Sequence, residues 1–222
     1  MDLSDLAATL RQQRSTPDLI ADALRQAILQ GIFQAGQSLR QDEIATQFGV
    51  SRIPVREALR QLEAEGLVKL YPNRSAIVST LSPAEIQEIC EIRIALETTA
   101  IKLAIPYITV LELQQAQAIL ERTEKEIRAG RQVELNWEFH STLYTPANRP
   151  RLLGMIKNLH LNIDRYVYLI TKSHWERSQQ EHYQLLDACE QQDTKAAVKL
   201  LQQHIQAVGE QLMVYLTKEK KQ

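Results

Sequence analysis

The chain is poor in the residues that build turn-rich, disulfide-bonded or membrane-spanning proteins. Its 222 residues include only two cysteines, Cys90 and Cys189. Two thiols form neither a disulfide framework nor a metal-finger spacing, so both read as small core residues of a chain kept in a reducing cytoplasm. Glycine and proline number seven each, too few for a turn-rich all-β chain or a collagen-like one. Aromatic residues are 5% while Gln and Leu are abundant, which points to a mainly α protein. No apolar run reaches the ~18 residues that span a bilayer. The opening MDLSDLAATLRQQRS lacks the basic start and apolar stretch of a secretory signal. Neither sign of charge dominates, the formal net charge being −1.

What is present is ordinary globular material, 44% hydrophobic and 24% charged. The length suits one large domain or two small ones. Residues 11–80 carry nine Lys/Arg against seven Asp/Glu, and residues 81–222 carry seventeen against eighteen. No polybasic arm exists, so any nucleic-acid binding must come from a few placed arginines.

Residues 1–15 read as an extension. Thr16-Pro17 then opens a helix, with Thr16 as the expected cap, and Gly31 and Gly36 close that segment. A short helix over 41–48 ends at Gly49, and Ser51 caps the next, which stops at Gly66. Leu67–Leu70 and Ala76–Val78 read as two strands around a turn at 71–75. Two helices, a tight turn, a third helix and a hairpin outline a winged helix-turn-helix over 16–80. Gly49 supplies the positive φ that such a corner often needs, and Val50 plugs the angle. From Ser82, a capping box with Pro83 inside it, the pattern changes to long helices. They are expected near 83–105, 109–129, 132–145, 149–173, 176–191 and 194–217, with breaks that include Gly130 and Ser173/His174. Six helices on short turns make an antiparallel bundle over 82–217. Residues 218–222 form a charged tail, and the domain boundary falls at Thr80 to Ser82.

On the third helix, Val55, Ala58, Leu59 and Leu62 share one apolar face. Arg52, Arg56 and Arg60, at i, i+4 and i+8, share a flank about 80° wide with Ile53 beside it. Such a stripe either forks onto guanine edges and phosphates or is a solvated basic face with ion pairs to Glu57 or Glu63.

The ungapped run from Ile44 through Ser51-Arg52-Ile53-Pro54-Val55-Arg56-Glu57-Ala58-Leu59 to Leu62-Glu63-Ala64-Glu65-Gly66-Leu67-Val68 closely resembles the DNA-binding domain of GntR-type bacterial transcription regulators. Gln30-Gly31-Ile32-Phe33-Gln34-Ala35-Gly36 is similar to their lead-in. The resemblance covers about residues 17–80. It implies that Ser51, Arg52, Ile53 and Arg56 contact double-stranded DNA, with Arg60 on the same flank and Arg40 on the approach to the second helix. It also implies that Asn73, Arg74 and Ser75 form the wing tip. Two positions depart from the family pattern. Ile53 replaces a small hydroxyl residue and offers an apolar contact instead, and Ser75 stands where the wing usually has glycine.

In the helical part, Asn136 and His140 share a helix face at i, i+4. His182 and His204 lie at nearly equal distances from the turn at Asp193, so an antiparallel pair brings them side by side. If the first face points at the same spot, three imidazoles and an amide oxygen converge, a set that suits zinc, nickel or iron. Packed core side chains are the alternative. His160 and His174 have no matching partner and read as structural or surface residues. Arg93, one turn before Glu97, faces inward. It either forks onto a carboxylate ligand or pairs with Glu97. Asn162 and Tyr166 are an i, i+4 polar pair that lines the cavity or makes interhelical contacts.

Residues 83–217 resemble the all-helical FCD effector domain of the FadR subfamily, in its VanR-like six-helix branch. The resemblance rests on Arg93-x-x-x-Glu97, Asn136-Trp137-Glu138-Phe139-His140, Asn148 with Leu152, Glu181-His182 and Gln203-His204. It implies that Asn136, His140, His182 and His204 ligate a divalent metal, with zinc first and nickel or iron next. Asn136 replaces the more common aspartate and brings no charge, which loosens a metal or marks a site that has lost it. The resulting expectation is a cytoplasmic, homodimeric bacterial regulator on a near-palindromic operator, controlled by a small carboxylate effector. An effector-independent DNA-binding protein with a degenerate pocket and a metal-dependent enzyme in the bundle are the other classes. No carboxylate is obviously placed as a general base, and an enzyme leaves the winged helix unexplained.

Overall fold

A computed structural model describes residues 15–72, 75–125 and 131–219, without the side chains of 75, 165, 169–175, 218 and 219. The expected wing-tip residues Asn73 and Arg74, the Ser75 side chain, the break at Gly130, the His174 side chain and most of the two terminal extensions lie outside the described residues. The chain divides between Thr80 and Leu81 into two compact units.

The first unit begins with α1, Thr16–Leu29. Its cap is Ser15 rather than the expected Thr16, which is already helical. Ser15 is extended (φ −67°, ψ 155°), and its hydroxyl and the Asp18 carboxylate close a reciprocal capping box. A strand β1, Ser38–Arg40, precedes α2, Gln41–Phe48, and α3, Arg52–Ala64. Between α2 and α3, Gly49 takes φ +64° as its place in the corner requires, and its N–H closes the end of α2. Strands β2, Val68–Leu70, and β3, Ser75–Val78, complete an antiparallel sheet in the order β1-β3-β2. β1 was not expected, because three residues are too few to show a period-2 pattern. It pairs Ser38 with Ile77, Leu39 with Ala76 and Arg40 with Ser75. Ile20, Leu24, Ile28, Ile44, Leu59 and Leu62 fill the core with inward residues of the strands. The Arg25 guanidinium grips both oxygens of Glu65 at 2.6 and 2.7 Å, tying α1 to the end of α3.

The second unit opens with α4, Pro83–Ala104, capped by the Ser82–Glu85 box as expected. A 3₁₀ turn at Ile105–Tyr107 leads to α5, Val110–Lys125. Then come α6, Gln132–Tyr144, a 3₁₀ turn at Thr145–Ala147, α7, Pro150–Glu190, and α8, Thr194–Glu219. The helices expected at 149–173 and 176–191 are one continuous 41-residue helix. Ser173-His174 is neither glycine nor proline, and two polar residues alone do not break the i→i−4 ladder. Large apolar residues such as Ile101, Leu120, Leu135, Phe139 and Tyr144 are fully buried in this unit. Cys90 and Cys189 are free thiols in that core. Among the described residues, no helix is long and apolar enough to cross a membrane.

Candidate nucleic-acid interface and metal centre

α3 buries Val55, Ala58, Leu59 and Leu62 and turns Arg52, Ile53, Arg56 and Arg60 outward. Ile53 is 60% exposed, a large apolar side chain that the described residues of its unit leave open. Ser51 is the extended cap residue of α3, but its side chain makes no capping hydrogen bond. Arg52 is paired with Asp42, and Arg40 with Glu43 at 2.9 Å; all four side chains are exposed. Among the described residues, neither Arg56 nor Arg60 is in an ion pair. Glu63, a partner offered by the sequence, instead accepts the Leu70 N–H at 2.9 Å and pins β2. The Arg40–Ser75 register sets Arg40 beside the base of the wing, a neighbourhood that depends on β1.

In the helical unit, His140 on α6, His182 on α7 and His204 on α8 are all buried, and one ring nitrogen of each lies within 4.8 Å of the others. The ring centroids of His182 and His204 are 4.7 Å apart, as their symmetry about the turn predicts, and His140 is 5.0 and 5.6 Å from them. Nε2 of His140 and of His182 is buried with no hydrogen-bond partner. Such an orphan costs about 1–3 kcal/mol unless a ligand satisfies it. Burial, followed by the neighbouring rings, pushes His140 and His182 well below the usual imidazole range, so both are neutral. Three imidazoles whose nitrogens lie this close together fit a divalent transition metal.

A buried polar network stands behind the histidines. Glu97 on α4 is fully buried and holds Arg93 at 2.6 Å. Burial alone would raise the Glu97 carboxyl, but Arg93 and then His160 override it and hold it well below the usual carboxylate range. The Tyr144 hydroxyl donates to Glu97 Oε2 at 2.8 Å and lies 3.2 Å from His140 Nδ1. At His204, Glu181 Oε2 accepts from Nδ1 at 2.8 Å.

His160, read as structural or surface, is buried here, with Nε2 2.9 Å from Arg93 Nη2 and 3.2 Å from Glu97 Oε1. Asp164, one turn on, is buried as well. The sequence signal available for these residues was their i, i+4 spacing; their partners come from the approach of α7 to α4.

A cavity beside the histidines is lined by Asn136, Phe139, Gln179, His182 and Gln211 among others, and among the described residues no charged side chain contributes to its wall. Asn136 and His182 thus share one space. The three residues expected to hold an effector are not brought to it. Arg93 is engaged by Glu97. The Asn162 amide donates to the Asn158 carbonyl of its own helix at 2.5 Å. The Tyr166 hydroxyl accepts the Leu81 N–H at 2.8 Å.

Comparison with known proteins agrees with both halves. Residues 17–78 match the model for bacterial regulatory proteins of the gntR family, and residues 88–207 match the FCD domain. The chain is 30% identical over 190 residues to the uncharacterized HTH-type transcriptional regulator YdhC of Bacillus subtilis, covering 83% of each chain. It is 29% identical over 192 residues to the HTH-type transcriptional repressor RspR of Escherichia coli, covering 84% of each. The solved structure of E. coli McbR/YncC shares the fold, with a TM-score of 0.78 over 95% of this chain and 100% of that one at 22% identity.

Proposed function

The chain belongs to the GntR family of bacterial regulatory proteins, with an FCD domain behind its winged helix, and we propose that it is a repressor whose grip on DNA is controlled by a small carboxylate held at a metal in the helical unit. That it is a DNA-binding transcription regulator and not an enzyme follows from the family. Repression is supported by a relative named as a repressor.

On the DNA side, Ser51, Arg52, Ile53 and Arg56 read base edges in the major groove, and Arg60 and Arg40 hold phosphates. Asn73, Arg74 and Ser75 serve as the wing. Arg52 must exchange Asp42 for DNA, whereas Arg56 and Arg60 have no ion pair among the described residues to give up. A homodimer presents two such helices to a near-palindromic operator.

On the effector side, the observation that carries the reading is the convergence of His140, His182 and His204, with two Nε2 atoms buried and unsatisfied. These three rings and the Asn136 amide oxygen hold the ion, zinc before nickel or iron. A bound divalent metal supplies a positive charge that no described residue of the cavity wall brings. No carboxylate is among the proposed donors, so none offsets that charge directly, which favours an anionic effector. The effector must bind the DNA-competent and DNA-incompetent forms unequally. The working compartment is the bacterial cytoplasm.

Two measurements test this. Elemental mass spectrometry of protein purified without a metal-affinity column should find about one transition metal per chain, lost in His182→Ala. No metal after supplementation would favour the second reading, in which Asn136 marks a lost site and the regulator works without metal. Selection from a random duplex pool should return inverted half-sites. Arg52→Ala should weaken binding to them by about 1–3 kcal/mol and relax base preference, and an unchanged footprint and affinity would show that α3 does not read the bases.

A further inference from the structure

We infer that Glu97, acting through Tyr144, and Glu181 are positioning residues that fix a proton on Nδ1 of His140 and of His204, so that each ring turns its Nε2 to the shared centre. The inference rests on the metal-site reading for its purpose, but its content is a property of the metal-free protein.

The argument is a count of protons. Glu97 is fully buried against Arg93 at 2.6 Å, and that guanidinium keeps it ionised, so it has no proton to give. Its Oε2 lies 2.8 Å from the Tyr144 oxygen. Two oxygens at that distance need a proton between them, and the tyrosine hydroxyl is the source. That hydroxyl has one proton. Nothing remains on the phenol oxygen to donate to His140 Nδ1, 3.2 Å away. The nitrogen must therefore be the donor, with its own N–H pointing at the phenol oxygen. A neutral imidazole with Nδ1–H has its lone pair on Nε2. This is the atom of His140 that is buried without a partner.

His204 is set by a shorter route. Glu181 takes the Arg177 Nε–H on its other oxygen, Oε1, at 2.8 Å, and a carboxylate paired with a guanidinium accepts only. Its Oε2 is 2.8 Å from His204 Nδ1, so Nδ1 carries a proton and Nε2 is the nitrogen left to coordinate. Metal-bound histidines are oriented in this way by carboxylates behind them. Here one carboxylate acts directly and the other through a phenol. Tyr144 is one helical turn after His140, so α6 itself brings hydroxyl and ring together.

Long-range proton–nitrogen correlation spectra of the metal-free full-length chain, with histidines labelled, read the tautomers. His140 and His204 should both appear with Nδ1–H. Tyr144→Phe keeps the buried ring and removes only the oxygen; His140 should then lose its single tautomer while His204 keeps its own. Glu181→Ala should do the reverse. In competition with a chromophoric chelator, each variant should bind zinc about 10- to 100-fold more weakly. Nε2–H on either ring in the unsubstituted protein would overturn the inference. So would a His140 tautomer that does not respond to Tyr144→Phe. Nδ1–H on both rings in a protein that binds no zinc would sink the metal reading and leave the tautomer assignment standing.

Discussion

Gly209 on α8 leaves its side-chain position to Cys90 on α4: a Cβ built at Gly209 would stand 2.8 Å from Cys90 Sγ. Real Cβ atoms do not come so close, so the two helices approach as they do because Gly209 has no side chain. Alanine brings two opposing effects. It gains up to about 1 kcal/mol of helix propensity and costs about 1–3 kcal/mol in overpacking. Overpacking should win, and Gly209→Ala should lower the melting temperature. Adding Cys90→Ala removes the sulfur and should recover much of the loss. Simple additivity of the two changes in a double-mutant cycle would show that the sulfur is not the obstacle.

The Arg93–Glu97 pair is inside the core, whereas Arg40–Glu43 lies on the surface, and the two should differ sharply in cost. Glu97→Gln leaves a buried guanidinium without its anion and should remove about 3–5 kcal/mol of stability. Glu43→Gln should remove less than about 1 kcal/mol. Urea unfolding of both variants measures the contrast, and equal midpoints would mean that water reaches Arg93.

Asp164 gives the fold a pH dependence. Burial pushes its carboxyl up to about 8, against Arg93, from an ordinary value of 3.8. The native state therefore keeps a proton that the unfolded chain releases. The stabilising contribution is complete below the unfolded value and is lost as pH rises through the native one. The slope is at most about 1.4 kcal/mol per pH unit within that window. Asp164→Asn cannot ionise, so melting curves from pH 5 to 8.5 should show its advantage over the unsubstituted protein growing with pH. Parallel curves would mean that Asp164 ionises freely in the fold.

Asn136 shares the cavity of His182 but brings no charge. Asn136→Asp should tighten zinc binding by about tenfold or more, because a carboxylate offsets the ion directly. The same competition titration gives the answer, and an unchanged affinity would put residue 136 outside the coordination shell.

Much of this was legible in the sequence where a local rule acts alone. The four apolar positions of α3 leave its arginines outside by periodicity, and Ser82-Pro83-Ala84-Glu85 caps α4 by its own side chains. His182 and His204 meet because an antiparallel turn places equidistant residues together. What was not legible depends on contacts far apart in the chain. β1 is a strand only because β3 pairs with it. His160 finds Arg93 and Glu97 across helices. Tyr144 reads as an apolar residue until Glu97 gives its hydroxyl a partner. Glu181 is next to His182 in the chain, yet it serves His204, which faces it from α8. The junction at Ser173-His174 shows the opposite error: a weak local signal suggested a break, and an intact hydrogen-bond ladder runs through it.

That unbroken ladder makes α7 a lever. At 1.5 Å per residue it is about 60 Å long, and Tyr166 and His182 lie about 24 Å apart along it. His182 is at the histidine centre, while Tyr166 grips the backbone of Leu81, the first residue of the helical unit. A joint between them would absorb a small displacement at the imidazole. A continuous helix carries it along its length, so the bond that anchors the start of the unit and the His182 ring are parts of one member.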